Sequence, residues 1–110
     1  VIPKTEAIRD RKLLDFAKGQ SCVNCGAEDG TVVAAHANRG KLGKGAGQKG
    51  HDIFFSMLCM RCHAWLDQGA GMDPTGRYEG TRAGKWEMFC DGLHVTWERL
   101  WRMGVIGRLR

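Results

Sequence analysis

Two Cys-x-x-Cys pairs set 33 residues apart, a short β-branched run just after the first pair and an amphipathic C-terminal run predict a small α+β domain stapled by one metal ion. The chain has 110 residues, 43% of them hydrophobic and 26% charged, with 16 glycines. That is enough for one domain with a modest core and excludes a second, so residues 1–110 are read as a single unit.

Taken in order, Thr5 is a candidate N-cap for a helix from Glu6 to Lys18, with Ile8, Leu13, Leu14 and Ala17 on one side and Gly19 as its stop. Cys22-Val23-Asn24-Cys25-Gly26 forms a knuckle, Glu28-Asp29-Gly30 a turn, and Thr31 to His36 a strand by β-branched content. From Asn38 to Gly50 the chain carries five glycines, one arginine and three lysines. Such a stretch cannot pack a core, because glycine offers no side chain and lysine resists burial. Ile53 to Leu58 is a short apolar segment that ends at the second knuckle, Cys59-Met60-Arg61-Cys62. His63-Ala64-Trp65-Leu66-Asp67 opens a helix that Gly69 and Gly71 stop, and residues 69–84 are expected to be loop.

The last element is the clearest. Trp86, Phe89, Cys90, Leu93, Trp97, Leu100 and Trp101 recur at three- and four-residue steps between Lys85 and Met103 and are expected to face the core. His94 falls off that stripe and reads as a surface residue.

Seventeen Lys and Arg against twelve Asp and Glu leave a formal charge of +5, a balance that favours a polyanionic partner. The excess is local: residues 1–20 hold five basic and three acidic residues, residues 36–52 four and one, and residues 96–110 four and one. The glycine stretch therefore reads either as a solvated loop or as a phosphate-contacting one, with Arg39, Lys41, Lys44 and Lys49 as its charges. It lacks the Gly-x-x-x-x-Gly-Lys-Ser/Thr pattern, which excludes a P-loop. No apolar run reaches the roughly 20 residues of a membrane span, and the N-terminal stretch has no secretory signal. The expected location is the cytoplasm. The first residue is Val1 rather than methionine, so residues missing before it are to be expected.

Cys22, Cys25, Cys59 and Cys62 suit a tetrahedral zinc at about 2.3 Å, and a closed four-sulfur shell makes such a zinc structural. Redox-active dithiols and an iron–sulfur cluster are the alternatives, although no βαβ pattern accompanies the pairs. A knuckle, a hairpin and a second knuckle whose last cysteine opens a helix describe a treble-clef-like core over about residues 20–68. That arrangement can bring His36, from the hairpin, and His63, fixed by the adjacent Cys62, to a common point. Asp52 can return a carboxylate to it. An imidazole and a carboxylate with open positions make a workable site for a divalent cation, and a second imidazole exchanges a proton with water near neutral pH.

The set Cys22, Cys25, Ala35-His36, Gly43-Lys44-Gly45, Asp52, Cys59, Cys62-His63 and Asp67 resembles the HNH (ββα-metal) nucleases. Within them it is most similar to the small phage and prophage nucleases related to the recombination enhancement function (Ref) nuclease. The likeness covers about residues 8–68 well and the C-terminal helix more loosely. It implies a phage- or prophage-encoded, Mg²⁺- or Mn²⁺-dependent DNA endonuclease acting in a bacterial host cell. His36 then stands at the family's general-base position, Asp52 at the middle position and His63 at the metal-ligand position. The implied catalytic cation has His63 and Asp52 as ligands, with Asn38 and Asp67 as supporting residues.

One departure bears on these roles. Many family members place an acid or a second histidine before the base, where this chain has Ala35. Either His36 is itself a ligand, or the cation is held by two protein ligands and water. His51 is a further candidate ligand or base. The alternatives in other function classes are a non-catalytic zinc-stabilised nucleic-acid-binding module and, more remotely, a protein adaptor using the terminal helix.

Overall fold

The computed structural model describes residues 8–36 and 51–107. Its elements are α1 (Arg11–Asp15), β1 (Val33–His36), β2 (Phe55–Leu58), α2 (Met60–Gln68) and α3 (Arg82–Arg102), an α+β arrangement in which β1 and β2 pair antiparallel with His36 opposite Phe55 and Val33 opposite Leu58. No helix among the described residues is long and apolar enough to cross a membrane.

A two-stranded sheet is marginal alone and presents an open edge on each strand. On β2 that edge is closed by neighbours from elsewhere in the chain. The Met57 N–H donates to Thr96 Oγ1 of α3 at 3.1 Å, and the Met57 carbonyl accepts from the Val23 N–H of the first knuckle at 2.9 Å. All four residues of β2 are buried as a result. The core gathers around them: Leu13 and Ala17 from the α1 segment, Ala35 from β1, Trp65 from α2, and Met88, Phe89 and Leu100 from α3.

Helix α3 crosses β2 at close range. Its buried residues are Met88, Phe89, Gly92, Thr96 and Leu100, so the contact face is turned away from the one periodicity suggests. Trp97 and Trp101 are 40% and 49% exposed, while Trp86, Cys90 and Leu93 are half-buried. The reason is steric: the helix backbone approaches the strand only where small residues face it. A Cβ on Gly92 would stand 2.8 Å from Ser56 Oγ and 2.9 Å from Val23 Cγ2. The Ser56 hydroxyl donates to the Phe89 carbonyl at 2.8 Å, and Thr96 supplies the strand-edge bond. Arg99 adds a strap, its guanidinium donating to Ser21 O at 2.6 Å and Ser21 Oγ at 2.9 Å.

Two helix starts also differ from expectation. Helix α1 begins at Arg11, capped by Asp10, whose side chain accepts from the Leu13 N–H. Upstream residues cannot continue it, because Asp10 has left helical geometry (φ −149°, ψ 85°) with its own N–H bound to Asp52. Thr5, the expected cap, lies outside the described residues. Helix α3 starts three residues earlier than expected, at Arg82, because the Thr81 hydroxyl caps it by accepting from the Gly84 N–H at 3.0 Å.

Gly92→Ala is expected to lower stability by about 1–3 kcal/mol through overpacking, despite alanine's better helix propensity. Urea denaturation of the metal-loaded protein measures it, and an unchanged or raised midpoint would disprove the close approach.

Candidate metal centre and histidine–carboxylate sites

The knuckle residues Cys22, Cys25, Cys59 and Cys62 converge so that all four Sγ atoms lie within 4.8 Å of one another. The Cys25 and Cys59 sulfurs are 3.6 Å apart, close to the ~3.8 Å edge of a sulfur tetrahedron built on bonds of about 2.3 Å. The geometry suits one tetrahedral ion such as zinc. Cys22, Cys59 and Cys62 are buried and Cys25 is exposed.

Electrostatics point the same way. Burial opposes ionisation of Cys22, but the N–H groups of Cys25, Cys59 and Asn24 outweigh it and hold this thiol down at about 7. Burial pushes the Cys59 and Cys62 thiols up, and a thiolate at Cys22 raises both further. Four sulfurs this close cannot all be anionic without a cation among them.

A second layer holds the first. Asn24, between the first two cysteines, donates from Nδ2 to Cys62 Sγ at 3.3 Å and to Asp73 Oδ2 at 2.8 Å. Asp73 is buried, and its carboxylate collects the Arg77 and Tyr78 N–H groups at 2.8 Å each, with the Thr75 hydroxyl at 2.7 Å and N–H at 3.1 Å. Burial resists this charge, yet the donors from Asn24, Tyr78 and Thr75 prevail and hold the carboxyl far below its ordinary value. Arg77 closes the loop by donating from Nη2 to the Asn24 carbonyl at 2.7 Å. Residues 69–81 are thus an ordered strap over the metal centre. Neither Asn24 nor Asp73 stands out by periodicity or ligand spacing, although Asp-Pro-Thr-Gly at 73–76 carries an Asx-turn signature.

His36 and Asp52 meet as expected. His36 Nε2 lies 3.0 Å from Asp52 Oδ1, the histidine ending β1 and the aspartate standing three residues ahead of β2. Asp52 is only 3% exposed. Its Oδ2 accepts from the Asp10 N–H at 2.7 Å, its own N–H donates to the Ile8 carbonyl at 2.9 Å, and Arg9 Nη1 lies 3.8 Å from Oδ1. Burial works against the carboxylate, but the Asp10 N–H and His36 more than offset it, so the Asp52 carboxyl is held below its ordinary value. Both oxygens are occupied by protein donors. Each Asp52 oxygen thus accepts one protein hydrogen bond, and the carboxylate stands beside the His36 ring. Among the described residues the His36 ring has no other hydrogen-bond partner.

His63 forms a different pair, its Nε2 3.4 Å from Asp67 Oδ2 one turn along α2. Both side chains are partly exposed, 34% and 45%. His36, Asp52 and His63 do not share one ligand cluster; among the described residues the four cysteines alone form one. His51 accepts the Ile8 N–H at 2.8 Å through Nδ1 and so clamps the N-terminal segment. Asn38, Arg39, Lys41, Lys44 and Lys49 lie outside the described residues.

A small α+β domain with a four-cysteine centre and two separate His–Asp pairs is what fold and sites define. The chain belongs to the DUF968 family, described as a protein of unknown function, which it matches over residues 1–87. No curated protein and no solved structure matches it significantly. The family match spans all four cysteines, both His–Asp pairs and the Asp73 loop, and ends within α3.

Asn24→Ala is expected to weaken metal retention about 10- to 100-fold, the usual cost of losing an outer hydrogen bond to a ligand. Competition of the zinc-loaded protein against a chromophoric chelator reads it. Undiminished affinity would remove Asn24 from the centre's support.

Asp52 and Asp73 also set the acid limb of stability. Both bind protons more weakly in the folded chain than in the unfolded one, so their stabilisation is complete above the ordinary carboxyl value of 3.8 and is lost as pH falls through the lower folded values. Asp73→Asn should lower stability at neutral pH and flatten its fall below about pH 5. Urea midpoints across that range test it, and an acid limb as steep as the wild type's would refute it.

Proposed function

We propose that the protein is a zinc-stapled, divalent-metal-dependent DNA endonuclease of the HNH (ββα-metal) kind. The single observation that carries this reading is the His36–Asp52 contact in the lining of a cleft between β1 and the α1 segment. Support comes from the order of elements: a first cysteine pair, an antiparallel β pair, and a second cysteine pair opening a helix with a histidine in its first turn.

Phosphodiesters resist hydrolysis because their charge repels the nucleophile and their leaving group is poor. The chain's own groups address the first problem at His36. With Nε2–H donated to the buried Asp52 carboxylate, the ring keeps the tautomer whose Nδ1 lone pair is free to accept a proton from water. The resulting hydroxide attacks phosphorus as the ester oxygen departs. The imidazolium formed is stabilised by Asp52, which is already anionic and needs no reorganisation.

A divalent cation, when bound, stabilises the phosphorane charge and the departing oxygen. His63 is the residue open to such an ion, with Asp67 behind it in the usual carboxylate–histidine relation. Asp52, already bonded to His36 and the Asp10 N–H, serves in this reading to orient His36. A cation at His63 would draw its remaining ligands from water and phosphate oxygens, which suits a hard cation such as Mg²⁺ or Mn²⁺. The zinc at the four cysteines is structural, its coordination closed to substrate.

Zinc-loaded protein supplied with Mg²⁺ or Mn²⁺ is expected to nick or linearise supercoiled plasmid DNA. His36→Ala and His63→Ala should each reduce cleavage at least about 100-fold, in line with losing a general base or a metal ligand, with zinc content intact. Asp52→Asn should lower the rate while leaving DNA affinity unchanged. Absence of cleavage with every common divalent ion, alongside salt-sensitive DNA binding, would replace this reading with a non-catalytic nucleic-acid-binding module.

A further inference from the structure

We propose that the α1 segment, and not the glycine-rich stretch alone, is a docking track for the DNA backbone, with Arg11 and Lys18 as its phosphate contacts. The inference rests on the nuclease reading for the identity of the polyanion. Its geometry stands independently of that reading.

A cleft of about 490 Å³ opens between the α1 segment and β1, and His36, Asp52, Arg9, Arg11 and Lys18 are among the residues that line it. Arg11, Leu14 and Asp15 of α1 line the cleft, and Lys18, three residues beyond the end of that helix, lines it too. Leu13 and Ala17, on the opposite side, are the residues this segment buries. The segment from Arg11 to Lys18 thus gives Leu13 and Ala17 to the core and Arg11 and Lys18 to the groove that His36 lines.

Charge accounting identifies which groups are available. Asp52 is engaged by His36 and the Asp10 N–H, with Arg9 3.8 Å away. Asp15 faces Lys18 at 3.4 Å, but that pair is exposed, 48% and 75%, and such pairs exchange readily for another anion. Arg11 faces no acidic partner among the described residues. Arg11 opens α1 and Lys18 follows three residues after its end, so the two cations border the cleft seven positions apart in sequence. One strand laid along this wall runs past His36.

The test is binding of a short fluorescent DNA duplex by the zinc-loaded full chain, without added divalent cation, across about 50–200 mM salt. Each phosphate contact contributes about 0.9 to the slope of log affinity against log salt. The double variant Arg11→Gln/Lys18→Gln should therefore have a slope shallower by nearly 2, losing about tenfold less affinity over that range than the wild type. Lys12→Gln/Arg102→Gln removes the same charge away from the cleft and should keep the wild-type slope. Zinc content and circular dichroism confirm that both variants are folded.

Equal slopes in the two double variants, an unchanged slope in the cleft variant, or no DNA binding by the wild type would each overturn the inference. Plasmid cleavage by the wild type separates it from the nuclease reading. Cleavage with an unchanged cleft-variant slope rejects the track alone. A reduced slope in the cleft variant, with a wild type that never cleaves, rejects the enzyme and leaves the track standing.

Discussion

Four sulfurs that must meet at one point force two distant knuckles to lie side by side, and much of the remaining geometry follows. Once Cys22 and Cys25 stand against Cys59 and Cys62, the strands leading out of the first knuckle and into the second run antiparallel, with Val33 opposite Leu58. The Cys59 backbone then becomes the N-cap of α2, which places His63 in the first turn of that helix. Tetrahedral closure is strong enough for this task. Structural zinc in small domains binds with on the order of 10 kcal/mol, comparable to the whole net stability of a domain this size.

The knuckles in turn organise elements that carry no cysteine. Val23 bonds the edge of β2, Asn24 receives the Asp73 loop, and Ser21 receives Arg99. Each of these residues is within one position of Cys22 or Cys25. The first knuckle is therefore a junction where β2, α3 and the 69–81 strap are tied to one another as well as to the four-cysteine centre. That concentration explains how a chain with two four-residue strands packs a 21-residue helix against them.

Much of this was legible in the sequence because it rests on spacing. The cysteine pairs, the order of elements and the meeting of His36 with Asp52 follow from ligand geometry and from a hairpin's need to return. The orientation of α3 did not. Hydrophobic periodicity weights Trp97 and Trp101 heavily, but close packing on a strand is decided by Gly92 and Thr96, which hydropathy treats as neutral. Asp73 and Asn24 were invisible for a related reason. Their importance lies in hydrogen bonds to backbone groups many residues away, and such bonds leave no periodic trace. The cations beside the cleft were equally hard to isolate, since Arg11 and Lys18 are distinguished from Lys12 only by the groove they border.

A common device recurs at the two buried carboxylates. Asp73 fixes Asn24, which donates to Cys62; Asp52 fixes His36, which faces the cleft. In each case the charge is costly to bury and is stabilised by backbone N–H groups: Arg77, Tyr78 and Thr75 for one, Asp10 for the other. Backbone donors can converge in this way only where the chain has left regular structure, in a tight turn or just before a helix. The irregular segments are consequently the parts that orient the chemistry. Asp52 illustrates how much rests on such a group, because withdrawing it would cost the Asp10 N–H its acceptor and His36 its hydrogen-bonded partner.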